Sequence, residues 1–314
     1  MNQFFSCDWG TSMFRLRLID ATDMSIRSEI KNHQGILVVY KLWRQSKNED
    51  RIGFYLNFLQ GQIRKIEHKL GRKLHNIPII ISGMASSSLG MVELPYKQLP
   101  FLIDGSDLEK YPIQSNSEFP YDCIVISGAR TDNDVMRGEE TMLVGAIQVN
   151  QGGVFIFPGT HSKHVWVKDN HVVDLKTYMT GEFFELLSKK SILSDSVEAG
   201  DDFSKEQNLQ SFEEGVRTGL KENILHASFL TRTNSLFSKY SKQANYHYLS
   251  GLLIGSELKD LAESTVSSIH IVCGKELKLP YEHAAKIIGL NPPVFVSRAR
   301  DALIRGQFKI FSHL

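Results

Sequence analysis

A strand–turn–strand unit centred on Gly-Thr occurs twice in this chain of 314 residues, once in each half. In the first copy, the apolar run FFSC leads into Asp8 and Gly10-Thr11, and the strand-like run MFRLRLID ends at Asp20. In the second copy, VFIF leads into Gly159-Thr160, and the strand-like run SKHVWVKD ends at Asp169. The interval from the glycine to the closing Asp is the same in both copies. One recurrence at long range indicates a duplicated domain rather than a solenoid, whose period is short.

Each Gly-Thr turn has two interpretations. An ordinary tight hairpin with an Asx-type or hydroxyl-capped turn explains either turn taken alone. Small residues also let backbone N–H groups converge on an anion, while hydroxyls add further donors. Because the unit occurs twice with equal spacing, we favour phosphate binding at both turns. Asp8, at the end of its strand, is then placed to hold Mg²⁺ through water.

The pattern of the first half predicts strands and helices in alternation. Alternating side chains predict an antiparallel meander of three strands from Gln3 to about Asn32. Apolar residues from Ile52 to Leu70 recur at helical spacing before Gly71, which predicts a helix that covers one face of a sheet. The strand-like runs IPIIIS and YDCIVIS follow, and then the helix-like run GEETMLVGAIQV. This alternation predicts an α/β fold.

The second half repeats the hairpin and continues with helices. Helix-like runs are GEFFELLSK, SFEEGVRTGLKENILHASF and YHYLSGLLIGSELKDLAE, and the polar stretch from Ser194 to Gln210 predicts a surface loop. The chain closes with the strand IHIVC, a helix that begins after Gly274, the strand PVFVS and a short helix from about Ala299. The residues Asn150-Gln151-Gly152-Gly153 are the only linker signal between the halves.

The composition favours a small-molecule partner. The 36 basic and 35 acidic residues are spread along the chain, so no basic face predicts binding to nucleic acid or to an anionic membrane. No apolar run approaches the roughly 20 residues of a membrane span, and MNQFFSCDWG lacks the regions of a signal peptide. We therefore expect a cytoplasmic protein.

The three cysteines predict buried, reduced thiols rather than a metal site. Cys7, Cys123 and Cys273 lie at or near the ends of apolar strand-like runs and form no C-x-x-C pair.

Two common nucleotide-binding signatures are absent from the sequence. It contains neither G-x-x-x-x-G-K-[ST] nor G-x-G-x-x-G, so neither a P-loop nor a Rossmann fingerprint is present. Any phosphate therefore has to be held another way, and the Gly-Thr turns are the candidates.

Six blocks stand in order along the chain: DWGTSMFRLRLID, SGMASSSLGMVELPY, DVMRGEETMLVGA, FPGTHSKHVWV, YMTGEFFELL and YLSGLLIGSEL. Together they resemble the 2-dehydro-3-deoxygalactonokinase family, within the superfamily of sugar kinases, heat-shock chaperones and actin. The sequence departs from the family pattern in the serine-rich SSSLGM, in His164, where Trp is usual, and in Arg300, where Gly is usual. The first departure bears on the substrate, and the last bears on the wall of the nucleotide pocket.

The resemblance implies an actin-like ATPase fold of two ribonuclease H-like duplicated domains with a central cleft. We expect one domain over residues 1–149, with the first hairpin and a sugar-acid loop, and a second over 150–314, with the second hairpin and an adenine pocket. The implied reaction moves the γ-phosphoryl of ATP to the terminal hydroxyl of 2-dehydro-3-deoxy-D-galactonate, with Mg²⁺. Another sugar or sugar-acid kinase, or a catalytically silent nucleotide-binding regulator, remains an alternative. We expect a monomer or a homodimer.

The family resemblance implies that the two hairpins hold the β- and γ-phosphates of ATP between them. The residues implied for this role are Asp8, Gly10, Thr11, Ser12, Gly159, Thr160, His161, Ser162 and Lys163. Lys163 would supply counter-charge, although a solvated strand residue is the alternative. His161 has an equal alternative as a turn hydrogen-bonder. Gly274 would let the backbone pack against adenine, or it simply opens a helix.

The substrate and the general base are assigned by the same resemblance. The loop from Ser82 to Gly90 offers hydroxyl and N–H groups to the sugar acid, and Arg15, Arg130 and Arg137 are candidates to pair with its carboxylate, or are surface residues. The loop candidates are Ser82, Gly83, Ser86 and Ser87. Glu139 is our first candidate for the base, followed by Glu140 and Asp134. The alternative is that both glutamates are acids favoured by the helix dipole.

Overall fold

The computed structural model describes residues 2–47, 50–200, 202–262, 266–290 and 293–313. The chain divides into two compact units, and each is described by itself. Unit 1 comprises Met1–Gln151, Val167–Leu175 and Ala299–Leu314, and unit 2 comprises Gly152–Trp166 and Lys176–Arg298. The boundary expected between residues 149 and 150 stays a prediction.

The elements are numbered in chain order within the described residues. The strands are β1 (Gln3–Trp9), β2 (Phe14–Asp20), β3 (Ile26–Asn32), β4 (Ile79–Gly83), β5 (Lys97–Gln98), β6 (Phe101–Leu102), β7 (Lys110–Ile113), β8 (Cys123–Ile126), β9 (Ala129–Arg130), β10 (Val135–Met136), β11 (Gly153–Phe157), β12 (Ser162–Lys168), β13 (His171–Tyr178), β14 (Ile269–Cys273) and β15 (Val294–Arg298). The helices are α1 (Ile36–Ser46), α2 (Arg51–Leu70), α3 (Glu139–Ala146), α4 (Thr180–Lys190), α5 (Glu206–Lys221), α6 (Ile224–Leu236), α7 (Lys242–Ala262), α8 (Lys275–Ile288) and α9 (Ala299–Ser312). The chain is therefore mixed α/β, as predicted.

Unit 1 contains a six-stranded sheet in the order β3-β2-β1-β4-β8-β7. β1, β2 and β3 pair antiparallel, which confirms the predicted meander. β4 lies parallel to β1, and β8 lies parallel to β4. This order places the end of β4 beside the end of β1, where the first Gly-Thr turn begins.

Helix α2 covers this sheet with the predicted apolar face. Tyr55, Leu59 and Ile63 are completely buried in the same core as Trp9 of β1. Gly71 ends the helix in the left-handed conformation, with φ of 65°, and its N–H bonds back to the last turn, as glycine at this position commonly does. The pattern of spacing and stop signal was therefore sufficient to predict this helix.

The core of unit 2 contains β15, β14, β11 and β12 in that order, with β11, β14 and β15 mutually parallel. Helices α5 and α7 approach so closely that an added Cβ on Gly215 would lie 2.2 Å from the carbonyl oxygen of Tyr248, and one on Gly251 would lie 2.1 Å from that of Phe212. Glycines are therefore required where the two backbones meet. This close packing fixes α7 beneath the second hairpin.

Four details differ from the sequence-based expectation. The run SFEEGVRTGLKENILHASF is two helices, because Asn223 leaves the helical conformation and its side chain caps α6 by accepting from the N–H of Leu225. Helix α3 ends at Ala146, before the predicted end of its run. The predicted loop from Ser194 to Gln210 is helical from Glu206. Helix α1, which the sequence analysis did not identify, follows β3.

The cysteines are free and buried, as expected. Among the described residues, no helix combines the length and the apolar character needed to cross a bilayer.

Candidate active site

The first Gly-Thr turn is a tight hairpin buttressed by α1. The N–H of Gly10 donates to the carbonyl of Met13 at 2.9 Å, and the first N–H groups of α1, those of Ile36 and Leu37, donate to the carbonyls of Gly10 and Thr11. Thr11 is exposed at the tip. With its carbonyls held by α1, the turn has a fixed backbone.

Asp8 lies beside two other predicted site residues. Its Oδ2 accepts from Nη1 of Arg15 at 2.8 Å, and its register partner on β4 is Ser82. Ser82 is buried, and its hydroxyl accepts from Gln307 of α9 at 2.8 Å. Arg15 therefore forms an ion pair with Asp8, and the hydroxyl of Ser82 is fixed by a hydrogen bond from α9.

Gly83 permits the sharp exit of the predicted sugar-acid loop from β4. Its φ is 89°, and a Cβ there would lie 2.9 Å from the carbonyl oxygen of Trp9. This conformation strongly favours glycine. Ser87 then donates to the carbonyl of Met84 at 2.7 Å and closes a short 3₁₀ turn.

Arg137 contacts this loop directly. Its Nη1 donates to both the carbonyl and the hydroxyl of Ser86, and its guanidinium stacks over the ring of Tyr96 at 4.1 Å. Arg130 is different, because it is exposed on β9 and its Nε donates to the adjacent carbonyl of Thr131. Of these two arginines, the structure brings Arg137 to the predicted sugar-acid loop.

Three acidic side chains lie at or before the start of α3. Oε2 of Glu139 accepts from the N–H of Arg137 at 3.0 Å, and Oε2 of Glu140 accepts from the N–H of Gly138 at 2.7 Å. Glu139 is half-buried and Glu140 is completely buried. Burial, with the neighbouring charge of Glu139, raises the pKa of Glu140 to about 7. Asp134 lies upstream and accepts from the N–H of Val135.

The second Gly-Thr turn has open space at its glycine. Among the described residues, no heavy atom lies within 4 Å of a Cβ built on Gly159, leaving aside its chain neighbours. The carbonyl of Thr160 accepts from the N–H of Glu182, whose carboxylate also contacts the ring of His161. Lys163 is buried rather than solvated.

A buried carboxylate that was not predicted from the sequence holds this turn in place. Glu257 of α7 is buried, and its carboxylate contacts Ser162 at 2.6 Å, His164 at 3.0 Å and Tyr281 at 2.7 Å. It also accepts from Thr180 at the start of α4. The only signal in the sequence was a single acidic residue within the apolar run LLIGSEL.

A cavity of about 450 Å³ adjoins the second turn within unit 2. Gly159 and Thr160 lie at this cavity, together with Thr180 and Gly181 at the start of α4. Further lining residues are Phe184, Phe203, Tyr246, His247, Ser250, Leu253, Ile254, Glu276, Leu277, Pro280 and Tyr281. A predominantly apolar wall with a few polar groups is typical of a small-molecule site.

Gly274 caps α8 without lining this cavity. Residues of the helix that it opens, Glu276 and Leu277, do line the cavity. A larger groove of about 740 Å³ in unit 1, lined by Arg72, His75 and Asp122 among others, contains none of the predicted site residues. The cavity beside Gly159 is therefore the better candidate.

Comparison with solved structures shows the fold. A crystal structure from Sinorhizobium meliloti, assigned to the 2-dehydro-3-deoxygalactonokinases, is 28% identical with a TM-score of 0.80, and covers 98% of this chain and 95% of its own. The activator of 2-hydroxyisocaproyl-CoA dehydratase from Clostridium difficile, solved with bound ADPNP, is 10% identical with a TM-score of 0.50, covering 99% and 95%. The second likeness concerns the fold alone, which is that of the actin-like ATPases.

Comparison of sequences identifies the family. The 2-dehydro-3-deoxygalactonokinase of Escherichia coli (strain K12) is 29% identical over 219 residues, which cover 68% of this chain and 72% of that protein. A probable 2-dehydro-3-deoxygalactonokinase of Rhizobium meliloti (strain 1021) is 31% identical over 301 residues, covering 92% and 90%. The profile of the 2-keto-3-deoxy-galactonokinase family matches residues 8–310. The chain therefore belongs to the 2-keto-3-deoxy-galactonokinase family.

Proposed function

We propose that this protein transfers the γ-phosphoryl of ATP to the terminal hydroxyl of 2-dehydro-3-deoxy-D-galactonate, giving the 6-phosphate and ADP. Membership of a kinase family supports phosphoryl transfer to an alcohol. The structural observation that carries the proposal is the cavity beside Gly159 and Thr160, because it joins a Gly-Thr turn to an apolar chamber.

The nucleotide is proposed to bind in this cavity. Its volume of about 450 Å³ lies within the usual range of roughly 300–1,000 Å³ for ligand pockets. The aromatic side chains of Phe184, Phe203 and Tyr246 suit a flat base, and the turn at Gly159 suits the phosphates, since its glycine leaves room for an anion. We propose that the turn at Gly10 in unit 1 also binds phosphate.

The residues around Asp8 fit a magnesium ion bound mainly by water and phosphate. Asp8 supplies one carboxylate, and its side chain is 26% exposed, so water reaches it. No cluster of three or more potential protein ligands occurs among the described residues. Magnesium commonly takes only one or two carboxylates and keeps several waters. When bound, Mg²⁺ would neutralise charge on the transferring phosphoryl group.

The remaining chemistry requires a base and a carboxylate partner. We propose that Glu139 accepts the proton of the attacking hydroxyl, because it is half-buried whereas Glu140 is completely enclosed. A base must reach the hydroxyl within hydrogen-bond distance. Arg137 is proposed to bind the carboxylate of the sugar acid, since it already lies on the loop at Ser86 and a guanidinium suits a carboxylate.

A coupled assay of ADP release tests this function. The purified protein is given Mg·ATP and a panel of aldonic and 2-keto-3-deoxy acids. The highest kcat/KM with 2-dehydro-3-deoxy-D-galactonate would support the proposal. A clear preference for another acid would transfer the activity to that substrate. No ADP release with any acid, despite binding of Mg·ADP, would indicate a silent nucleotide-binding protein.

A further inference from the structure

Glu257 uses both of its carboxylate oxygens in a buried network within unit 2. Oε1 accepts from the hydroxyl of Ser162 at 2.6 Å and contacts Nε2 of His164 at 3.0 Å. Oε2 accepts from the hydroxyl of Tyr281 at 2.7 Å and from that of Thr180. Four partners thus converge on one carboxylate from β12, α4 and α8.

This network favours the ionised form of Glu257. Burial raises the pKa of Glu257, but hydrogen bonds from His164, Ser162 and Thr180 outweigh burial and hold it below its usual value. Nδ1 of His164 lacks a hydrogen-bond partner in the part of the chain that the structure describes. Because an ionised carboxylate only accepts hydrogen bonds, Nε2 of His164 carries a proton and donates it to Glu257.

The network commits the only proton of the Ser162 hydroxyl. A hydroxyl has one donor. Since Ser162 donates to Glu257 at 2.6 Å, its proton is not available to a phosphate oxygen. The same holds for Thr180, whose hydroxyl donates to the other oxygen of Glu257. Neither of these two hydroxyls is therefore a free donor for an anion at this turn.

We propose that Glu257 is a positioning residue, which acts through Ser162 and Thr180 to hold the second turn and the start of α4 in the shape that binds the nucleotide phosphates. This inference rests on the proposed function. Thr180 and Tyr281 line the cavity together with Gly159, and the hydroxyls of Thr180 and Tyr281 are both held by this one carboxylate. Ser162 therefore contributes to phosphate binding indirectly, through Glu257.

Stability alone does not account for such an arrangement. A buried charge is costly to desolvate, and apolar side chains of similar volume are often equally stable or better. A saturated carboxylate instead fixes the rotamers of several hydroxyl side chains at once, and a misplacement of about 1 Å at a reacting site can cost about 100-fold in rate. The network is therefore expected to affect nucleotide binding beyond its effect on folding.

A double-mutant cycle tests this role. Glu257→Gln and Ser162→Ala are each expected to raise KM for ATP and Kd for Mg·ADP by about 10- to 100-fold, with KM for the sugar acid nearly unchanged. The double variant should be no worse than the worse single variant, since both changes break one connection. Additive losses would show that Ser162 contacts the phosphate itself, and would overturn the proposal.

A buried carboxylate in unit 1 provides the matched control. Glu67 is buried, accepts from the N–H of Leu74 at 2.9 Å and pairs with Lys73 at 3.0 Å. Glu67→Gln should lower Tm while leaving KM for ATP unchanged. If Glu67→Gln raised KM for ATP as much as Glu257→Gln does, the effect of Glu257→Gln would be explained by general destabilisation, and the proposal would be overturned.

Two further outcomes separate this inference from the proposed function. If Glu257→Gln fails to fold, Tyr281→Phe removes one donor and keeps the ring, and it should still raise Kd for Mg·ADP severalfold. Normal Mg·ADP binding by a folded Glu257→Gln or Tyr281→Phe variant would overturn the positioning role. The proposed kinase function would still stand in that case if the wild type is active. Absence of Mg·ADP binding in the wild type would overturn both.

Discussion

Glu139 and Glu140 are adjacent in sequence, but their carboxylates accept from different backbone N–H groups, those of Arg137 and Gly138. Consecutive residues of a helix point about 100° apart, so the two side chains cannot serve the same place. Glu140 is completely buried, whereas Glu139 keeps part of its surface. The helix start therefore offers one accessible carboxylate and one enclosed carboxylate.

Replacing Glu139 by Gln should lower kcat with little change in KM for ATP. Removal of a positioned base typically costs about 100- to 10,000-fold. Glu140→Gln and Asp134→Asn, measured side by side in the ADP-release assay, should retain more activity. Near-wild-type turnover of Glu139→Gln, with collapse of either other variant, would transfer the role of base to that residue.

The enclosed carboxylate should make stability depend on pH. The pKa of Glu140 is about 7 in the folded protein against 4.5 as its ordinary value, so between these pH values the folded form holds a proton that the unfolded form has released. Stability is therefore lost as pH rises from about 4.5 to about 7, by roughly 3 kcal/mol. Glu140→Gln removes this titration.

Unfolding by urea over this pH range measures the effect. The free energy of unfolding of the wild type should fall relative to that of Glu140→Gln as pH rises. Parallel curves for the two proteins would show that Glu140 does not titrate in this window.

The hairpins and α2 could be predicted because their determinants are local. Alternating side chains in MFRLRLID, the apolar spacing before Gly71 and the turn residues all lie within single elements. The break between α5 and α6 was missed because apolar spacing continues across Asn223, which is tolerated inside helices and is also a good cap. A local pattern does not distinguish these two uses of Asn.

The network of Glu257 could not be predicted, because its partners come from distant parts of the chain. Ser162 is 95 residues before Glu257 in sequence, and Thr180 is 77 residues before it. The close packing of α7 on α5 at Gly251 and Gly255 lies next to Glu257 on the same helix, and such packing between distant segments is not visible in a local pattern. Sequence spacing likewise gave no reason to prefer Arg137 over Arg130 as a substrate-binding residue. The hydrogen bond between Arg137 and Ser86 gives that reason, and it is visible only in the structure.

Replacing Arg137 by Lys should raise KM for the sugar acid by about 10-fold or more. Lys keeps the charge but loses the fork that contacts Ser86 and the stacking on Tyr96. Steady-state kinetics with the sugar acid varied at saturating ATP measure the change. Arg64→Lys, on the exposed face of α2, is the matched control. An unchanged KM in Arg137→Lys would remove this residue from substrate binding.

Asp8→Asn tests the proposed metal position. This change keeps the shape of the side chain and removes the charge that helps to hold Mg²⁺, and it also weakens the contact with Arg15. The rate at low Mg²⁺ should fall, and excess Mg²⁺ should partly restore it. A Mg²⁺ dependence equal to that of the wild type would place the metal elsewhere.

Replacing Gly159 by Val should abolish nucleotide-dependent activity without unfolding the protein. A Cβ on Gly159 contacts nothing in the part of the chain that the structure describes, so the added side chain costs little in the folded protein, but it occupies the volume proposed for phosphate. Gly181 gives the opposite case, because a Cβ there would lie 2.4 Å from the carbonyl oxygen of Gly159. Gly181→Ala should therefore lower Tm, whereas Gly159→Val should keep Tm and lose binding of Mg·ADP.

Gly10→Val is expected to behave like Gly159→Val. Its Cβ would lie 3.4 Å from the carbonyl oxygen of Met13, which is an ordinary van der Waals contact that the folded chain tolerates. Normal turnover by either valine variant would contradict phosphate binding at the turn that carries it.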